Sequence, residues 1–210
     1  MPAEIHQLKM IGSTVLIFAT NNSHKVDEVR HLLCERFQIQ SLKEACIDID
    51  IPEPYNTLEE NAREKSVVIN TLTGGNCFSE DTGLEVNALD GEPGVRSARY
   101  AGDDATAEQN IDKLLFNMAG KSDRAARFRT VISLILDDKE YQFDGVCTGT
   151  ITTHRRGSQG FGYDAIFIPE GATMTFGEMN MSEKALYSHR KKATEKCVSF
   201  LNQYYAADKD

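Results

Sequence analysis

The sequence lacks the staples of a small extracellular fold. Its five cysteines form no C-x-x-C pair and their number is odd, so neither a zinc site nor a disulfide framework is expected. They read as reduced, mostly buried thiols of a cytoplasmic protein. Long apolar runs are missing too. The longest, residues 15–19 and 131–136, are strand-sized and fall well short of the ~20 residues that cross a bilayer. The opening MPAEIHQLKMIGS has no signal-peptide apolar core, and residues 1–13 are expected to form an extension before the first strand. Positive charge is not in excess. Lys and Arg total 23 against 32 Asp and Glu, a net charge of -9, which argues against a general duplex-binding surface. A small phosphate ligand needs only a local basic pocket and stays allowed. No internal repeat, low-complexity tract or long linker occurs. There is no P-loop, and Gly157, Gly160 and Gly162 do not make a dinucleotide fingerprint.

What is present describes an ordinary globular chain. With 210 residues, 40% hydrophobic and 26% charged, it can bury a real core and is expected to form one domain over residues 14–210. Residues 14–19 are β-branched, aromatic and unalternating, the pattern of a buried strand. A polar loop precedes a helix with Val26, Val29, Leu33 and Phe37 on one face, and a strand over 37–42 completes a β-α-β unit. Thr57-Leu58-Glu59-Glu60 reads as a capping box. It opens a helix with Leu58, Ala62, Ile69 and Leu72 on its stripe, stopped by Gly74-Gly75. A short strand at Cys77-Phe78 is expected to run into an acidic turn, followed by another strand carrying Leu84, Val86 and Ala88. Thr106 to Gln109 forms a second capping box, before Ile111, Leu114, Leu115 and Met118. Residues 127–136 and 141–151 predict a hairpin across Asp137-Asp138. A glycine-rich loop over 157–162, a short strand at 165–168 and a helix over 188–205 follow. The alternation indicates an α/β fold.

Four groups of residues could carry chemistry. Thr20, Asn21, Asn22, Ser23, His24 and Lys25 lie between the first strand and first helix, where free N–H groups and the helix dipole favour an anion. Glu80 and Asp81, with Glu53 upstream, could hold Mg²⁺ and position a water. Phe161, Gly162, Tyr163 and Asp164 could offer a ring face and a carboxylate to a base. Lys184, His189 and Arg190 place cations near a helix start, against the dipole, which suggests a ligand. Each group alone is compatible with a solvated turn or a core anchor. Together with Lys65 they supply partners for a triphosphate, a metal and a base.

These segments resemble the inosine triphosphate pyrophosphatase family. The matching pieces are FATNNSHK (18–25), ENAREK (60–65), SEDTGLEVNALDGEPGVRSARYAG (79–102), FGYDAIF (161–167) and SEKALYSHR (182–190), in the family's order. The resemblance implies an elongated, two-lobed α/β domain with a twisted mixed sheet and an active-site cleft between the lobes. It also implies a homodimer, Mg²⁺ dependence and hydrolysis of ITP, dITP or XTP to monophosphate and pyrophosphate. On that likeness, residues 20–25 would wrap the triphosphate and Lys65 and Lys184 would touch phosphate oxygens. Asp81 would be the general base or metal carboxylate, with Glu53 and Glu80 beside it as metal ligands. Thr82 would contact substrate. Phe161 to Asp164 with His189 and Arg190 would form the base pocket. Arg190 or a backbone N–H near Tyr163 is the expected donor to the C6 oxygen. Glu80 and Thr82 stand where the family often has Asp and Ser.

Overall fold

The computed structural model describes residues 14–33 and 37–207. The expected extension 1–13 and Cys34 lie outside them. The apolar opening forms β1 (Thr14–Phe18), followed by α1 (Ser23–Leu33) and β2 (Phe37–Ser41). β1 and β2 pair in parallel, as the β-α-β pattern predicts. Phe37 belongs to β2 and not to the helix stripe.

Thr57 caps α2 (Leu58–Thr73), its hydroxyl accepting from the Glu60 N–H. The expected reciprocal box is only half formed: the Glu60 carboxylate accepts from the Thr57 hydroxyl at 2.7 Å and does not return to the cap's N–H. Gly74 ends the helix at φ 62°, its N–H bonded to the Asn70 carbonyl, a left-handed cap that glycine adopts at least cost. The buried stripe runs Leu58, Ala62, Lys65, Ile69. Leu72, expected on it, lies in the last turn and is 58% exposed.

β3 (Cys77–Val86) is one unbroken strand, not two strands around an acidic turn. Every residue from Cys77 to Val86 pairs antiparallel with β5 (Ala125–Leu136). That ladder overrides the turn preference of Ser-Glu-Asp-Thr-Gly, whose charges find partners from helices on either face. Ala88 falls in a 3-10 turn after the strand. β4 (Pro93–Gly94) adds to β3. α3 (Ala107–Asn117) opens with a complete capping box between Thr106 and Gln109. β5 turns into β6 (Lys139–Ile151) across Asp137 and Asp138, at φ 49° and 61°. A two-residue hairpin with positive φ at both corners matches the strands' twist. β7 (Phe167–Pro169), α4 (Met181–Ala185) and α5 (His189–Ala207) complete the chain.

The seven-stranded sheet has the order β2-β1-β3-β5-β6-β7, with β4 on β3. Only the β1 pairings are parallel, so the sheet is mixed. Its long strands thread two main cores. One gathers Leu84, Val86, Phe128, Cys147, Phe167 and Phe176 with α3 residues Ile111 and Leu114. The other gathers Leu16, Phe18, Phe78, Ile132 and Leu134 with α1 and α5 residues Val29, Ala193 and Leu201. β3 and β5 contribute to both, and Leu84 and Phe128 of the first core reach the wall of the cleft.

Candidate active site

Adjacent residues of a strand point to opposite faces, and β3 uses this to build two charge clusters. Asp81 faces α2. The Lys65 ammonium sits there between Glu53 Oε1 at 2.5 Å and Asp81 Oδ1 at 3.2 Å. Arg99 holds Glu53 as well, at 3.2 Å to Oε2 and 3.0 Å to its carbonyl. Glu80 faces α1 and α5. Arg190 Nε meets its two oxygens at 3.0 and 2.8 Å, and Nη2 approaches to 2.8 Å. Lys25 lies 3.2 Å from the same carboxylate. Glu28 then bridges Arg190 and Lys184, and Lys184 reaches Asp164 at 2.7 Å. Glu80 and Asp81 were expected to share a metal, but the pleat separates them and cations occupy Glu80.

Burial and charge set the protonation states. Burial would raise the Glu80 carboxyl, but Arg190 and Lys25 outweigh it and hold it at about 2. Burial raises Asp81 above its ordinary 3.8, with Lys65 countering only in part. Lys65 is itself raised, since Asp81 and Glu53 overcome its burial. Lys25 is lowered by burial, and Lys65 and Arg190 add to the effect. His189 is driven well below 6.5 by burial and by Arg190 and Lys184, so it is neutral. The conflict with the helix dipole is thereby resolved. One of the two residues carries no charge, and Arg190 is neutralised by Glu80 and Glu28.

A cavity of about 1130 Å³, counting its open mouth, lies against both clusters. Asn22, His24, Lys25, Glu53, Asp81 and Thr82 line it. Phe161, Gly162, Tyr163, Asp164, Lys184, His189 and Arg190 line it as well, with apolar Leu84, Val95 and Phe128. Phe161 stacks on His24 at 5.2 Å between centroids, and His189 stacks on Phe128 at 4.7 Å. Tyr163 is a core anchor as well as a wall: it is buried, and its hydroxyl donates to the Ser97 carbonyl at 2.9 Å.

Some expected site residues stand back from the wall. Lys65 and Glu80 are buried behind it. In the first loop, Thr20 accepts from the Asn22 N–H, Asn21 accepts from the Lys43 N–H, and Ser23 is exposed. Asn22 Oδ1 accepts from the Lys25 N–H, capping α1. Arg190 spends its donors on Glu80, Glu28 and Thr82, which disfavours it as the donor to a base. Glu28 and Arg99 were missed by the sequence reading. Glu28 is one turn after Lys25, and Arg99 lies inside the SARY segment, so both were open to notice.

Asp81 Oδ2 and His189 Nδ1 are buried with no hydrogen-bond partner. Among the described residues, no three His, Cys, Asp or Glu side chains group to hold a metal ion. Asp81 and Glu53 therefore offer at most a two-carboxylate site. That suits a hard cation that keeps water and takes phosphate oxygens as its other ligands.

Fold and cleft together define an α/β protein with a mixed sheet and a cavity lined by charged and aromatic side chains. The chain belongs to the Ham1 family, whose family model matches residues 16–200. A dITP/XTP pyrophosphatase of Porphyromonas gingivalis is 48% identical, covering 89% of this chain and 96% of its own. One from Flavobacterium psychrophilum is 45% identical, covering 88% and 97%. The structure of the Staphylococcus aureus Ham1 protein superposes with a TM-score of 0.83 at 34% identity, covering 91% of this chain and all of that one.

Proposed function

We propose that this chain hydrolyses deaminated purine nucleoside triphosphates (ITP, dITP and XTP) to the monophosphate and pyrophosphate, in the cytoplasm and as a homodimer. The observation that carries the reading is one cleft that brings Lys25, Lys184, Glu53 and Asp81 together with the rings of His24, Phe161 and Phe128. The relatives' names agree with it. Among the described residues, no helix is long and apolar enough to cross a membrane.

Attack on the α-phosphorus builds charge on the bridging oxygen, so positioning and electrostatics dominate the catalysis. Lys25, Lys65 and Lys184 would bind the phosphate oxygens, Lys65 by leaving its carboxylate partners. The first turn of α1 would direct its remaining N–H groups at the same chain of phosphates. Asp81, with a raised carboxyl and a free buried oxygen, would orient the water and take its proton. Glu53 and Asp81 would hold Mg²⁺, which when bound supplies positive charge at the phosphates. Phe161 would stack on the base, and the neutral His189 and the backbone near Tyr163 would meet its polar edge.

Hydrolysis of ITP in oxygen-18 water tests the chemistry. The reading requires IMP and pyrophosphate, with label in IMP. Label in pyrophosphate, or inosine diphosphate and free phosphate as products, would overturn it.

A further inference from the structure

His189 and Arg190 enter the cleft from the first turn of α5, so their position depends on where that turn rests. It rests on β6 at Gly145. A methyl group on Gly145 would lie 2.1 Å from the His189 carbonyl oxygen and 2.5 Å from the Ala193 nitrogen. Both are helix backbone atoms and cannot rotate away. Gly145 pairs with Thr130 on β5, and Thr130 pairs with Thr82 on β3, so the three form a row across the sheet. The Thr82 and Thr130 hydroxyls are 2.7 Å apart, and Arg190 Nη2 reaches Thr82 Oγ1 at 3.4 Å. Two clamps flank the seat: Lys192 donates to the Val146 carbonyl at 2.8 Å, and Lys196 meets Asp144 at 2.8 Å.

We propose that Gly145 is a positioning residue for base selection: its missing side chain seats α5 on β6 and thereby fixes where His189 meets the base, with Arg190 held behind it on Glu80 and Thr82. The inference rests on the proposed function. A Cβ at Gly145 lifts the first turn by roughly 1 Å, because close-packed backbone has no other relief. Displacements of that size cost on the order of 10- to 100-fold where geometry decides the rate. Lys65 on α2 keeps its place, while Lys25 and Lys184, which share Glu80 and Glu28 with Arg190, shift in part with it.

The test compares kcat/KM for ITP and ATP, and inhibition by inorganic tripolyphosphate, in wild-type and Gly145→Ala protein. The preference for ITP is expected to fall by on the order of 10-fold or more, with tripolyphosphate inhibition weakened by a smaller factor. An equal loss for both nucleotides, or an unchanged preference, overturns the proposal, since a merely structural defect scales both alike. If Gly145→Ala does not fold, the Lys192→Ala/Lys196→Ala double variant releases the clamps and is expected to lower the same preference by about threefold. An unchanged preference there overturns it. A wild-type enzyme with no preference for ITP would sink the functional reading and this inference with it. A wild-type preference that survives both variants sinks only the inference.

Discussion

Replacing Glu80 with alanine should unfold the protein more readily and should not change its metal requirement. Glu80 is 2% exposed and Arg190 1% exposed, so their contact is dry. The fall of the Glu80 carboxyl from 4.5 to about 2 corresponds to about 3 kcal/mol of preference for the charged form in the folded state. Breaking a buried ion pair on one side costs about 3–5 kcal/mol by a separate route. Glu28 still compensates part of the Arg190 charge, which favours the lower end. For a chain of this length, about 3 kcal/mol lowers Tm by roughly 6–12 °C. Urea denaturation of wild-type and Glu80→Ala protein reads the loss. Because the folded-state value is depressed, the contribution is present in full above the unfolded value near 4.5. It is lost as pH falls toward 2, so the two proteins should converge in stability over that window. Mg²⁺ half-saturation should be unaltered, because Glu80 faces the cations and not Asp81. A cost below about 1 kcal/mol, or a large rise in the Mg²⁺ needed, would refute the argument.

Three further outcomes follow from the same structure. Asp81→Asn should cut turnover by on the order of 100-fold or more while the melting curve shows a folded protein; near-wild-type turnover would remove Asp81 from the chemistry. ATP, which presents a donor at C6, should be rejected by about 10⁴-fold in a site built for an acceptor. GTP should be rejected less, by the roughly 1–3 kcal/mol of burying its 2-amino group unpaired, and kcat/KM for the two nucleotides orders them. Leu134→Ala, at a fully buried position of β5, should cost about 3 kcal/mol in urea denaturation; a loss under 1 kcal/mol would show that the core there is loosely packed.

Features decided by neighbouring residues were legible in the sequence. The Thr106 box, the Gly74 stop, the Asp137-Asp138 corner and the β-α-β opening each depend on a few adjacent side chains, and all stand in the structure. What failed was set by distant strands and helices. Ser79 to Gly83 has turn composition, yet β5 holds it extended. Glu80 and Asp81 look like one acidic pair until the pleat sends them to different helices. Thr57 and Glu60 have the spacing of a reciprocal box, but the carboxylate accepts from the Thr57 hydroxyl instead of the cap's N–H. Glu28 and Arg99 went unnoticed because their partners, Lys184, Arg190 and Glu53, come from other elements. The chemistry of the cleft residues grouped them in the sequence, but that positions 25, 81, 161 and 190 line one cavity is set by the fold, since no spacing in the chain brings them together.

The central claim is that this cleft selects deaminated purines for pyrophosphate release. Its most direct test is pyrophosphate release from ITP, XTP, GTP, ATP and dTTP, with and without Mg²⁺. The account predicts strong Mg²⁺-dependent release from ITP and XTP, weaker release from GTP and very little from ATP or dTTP. Release from dTTP above that from ITP would keep the phosphate end and contradict the base end. Binding of ITP without release from any of the five would contradict the assignment as an enzyme.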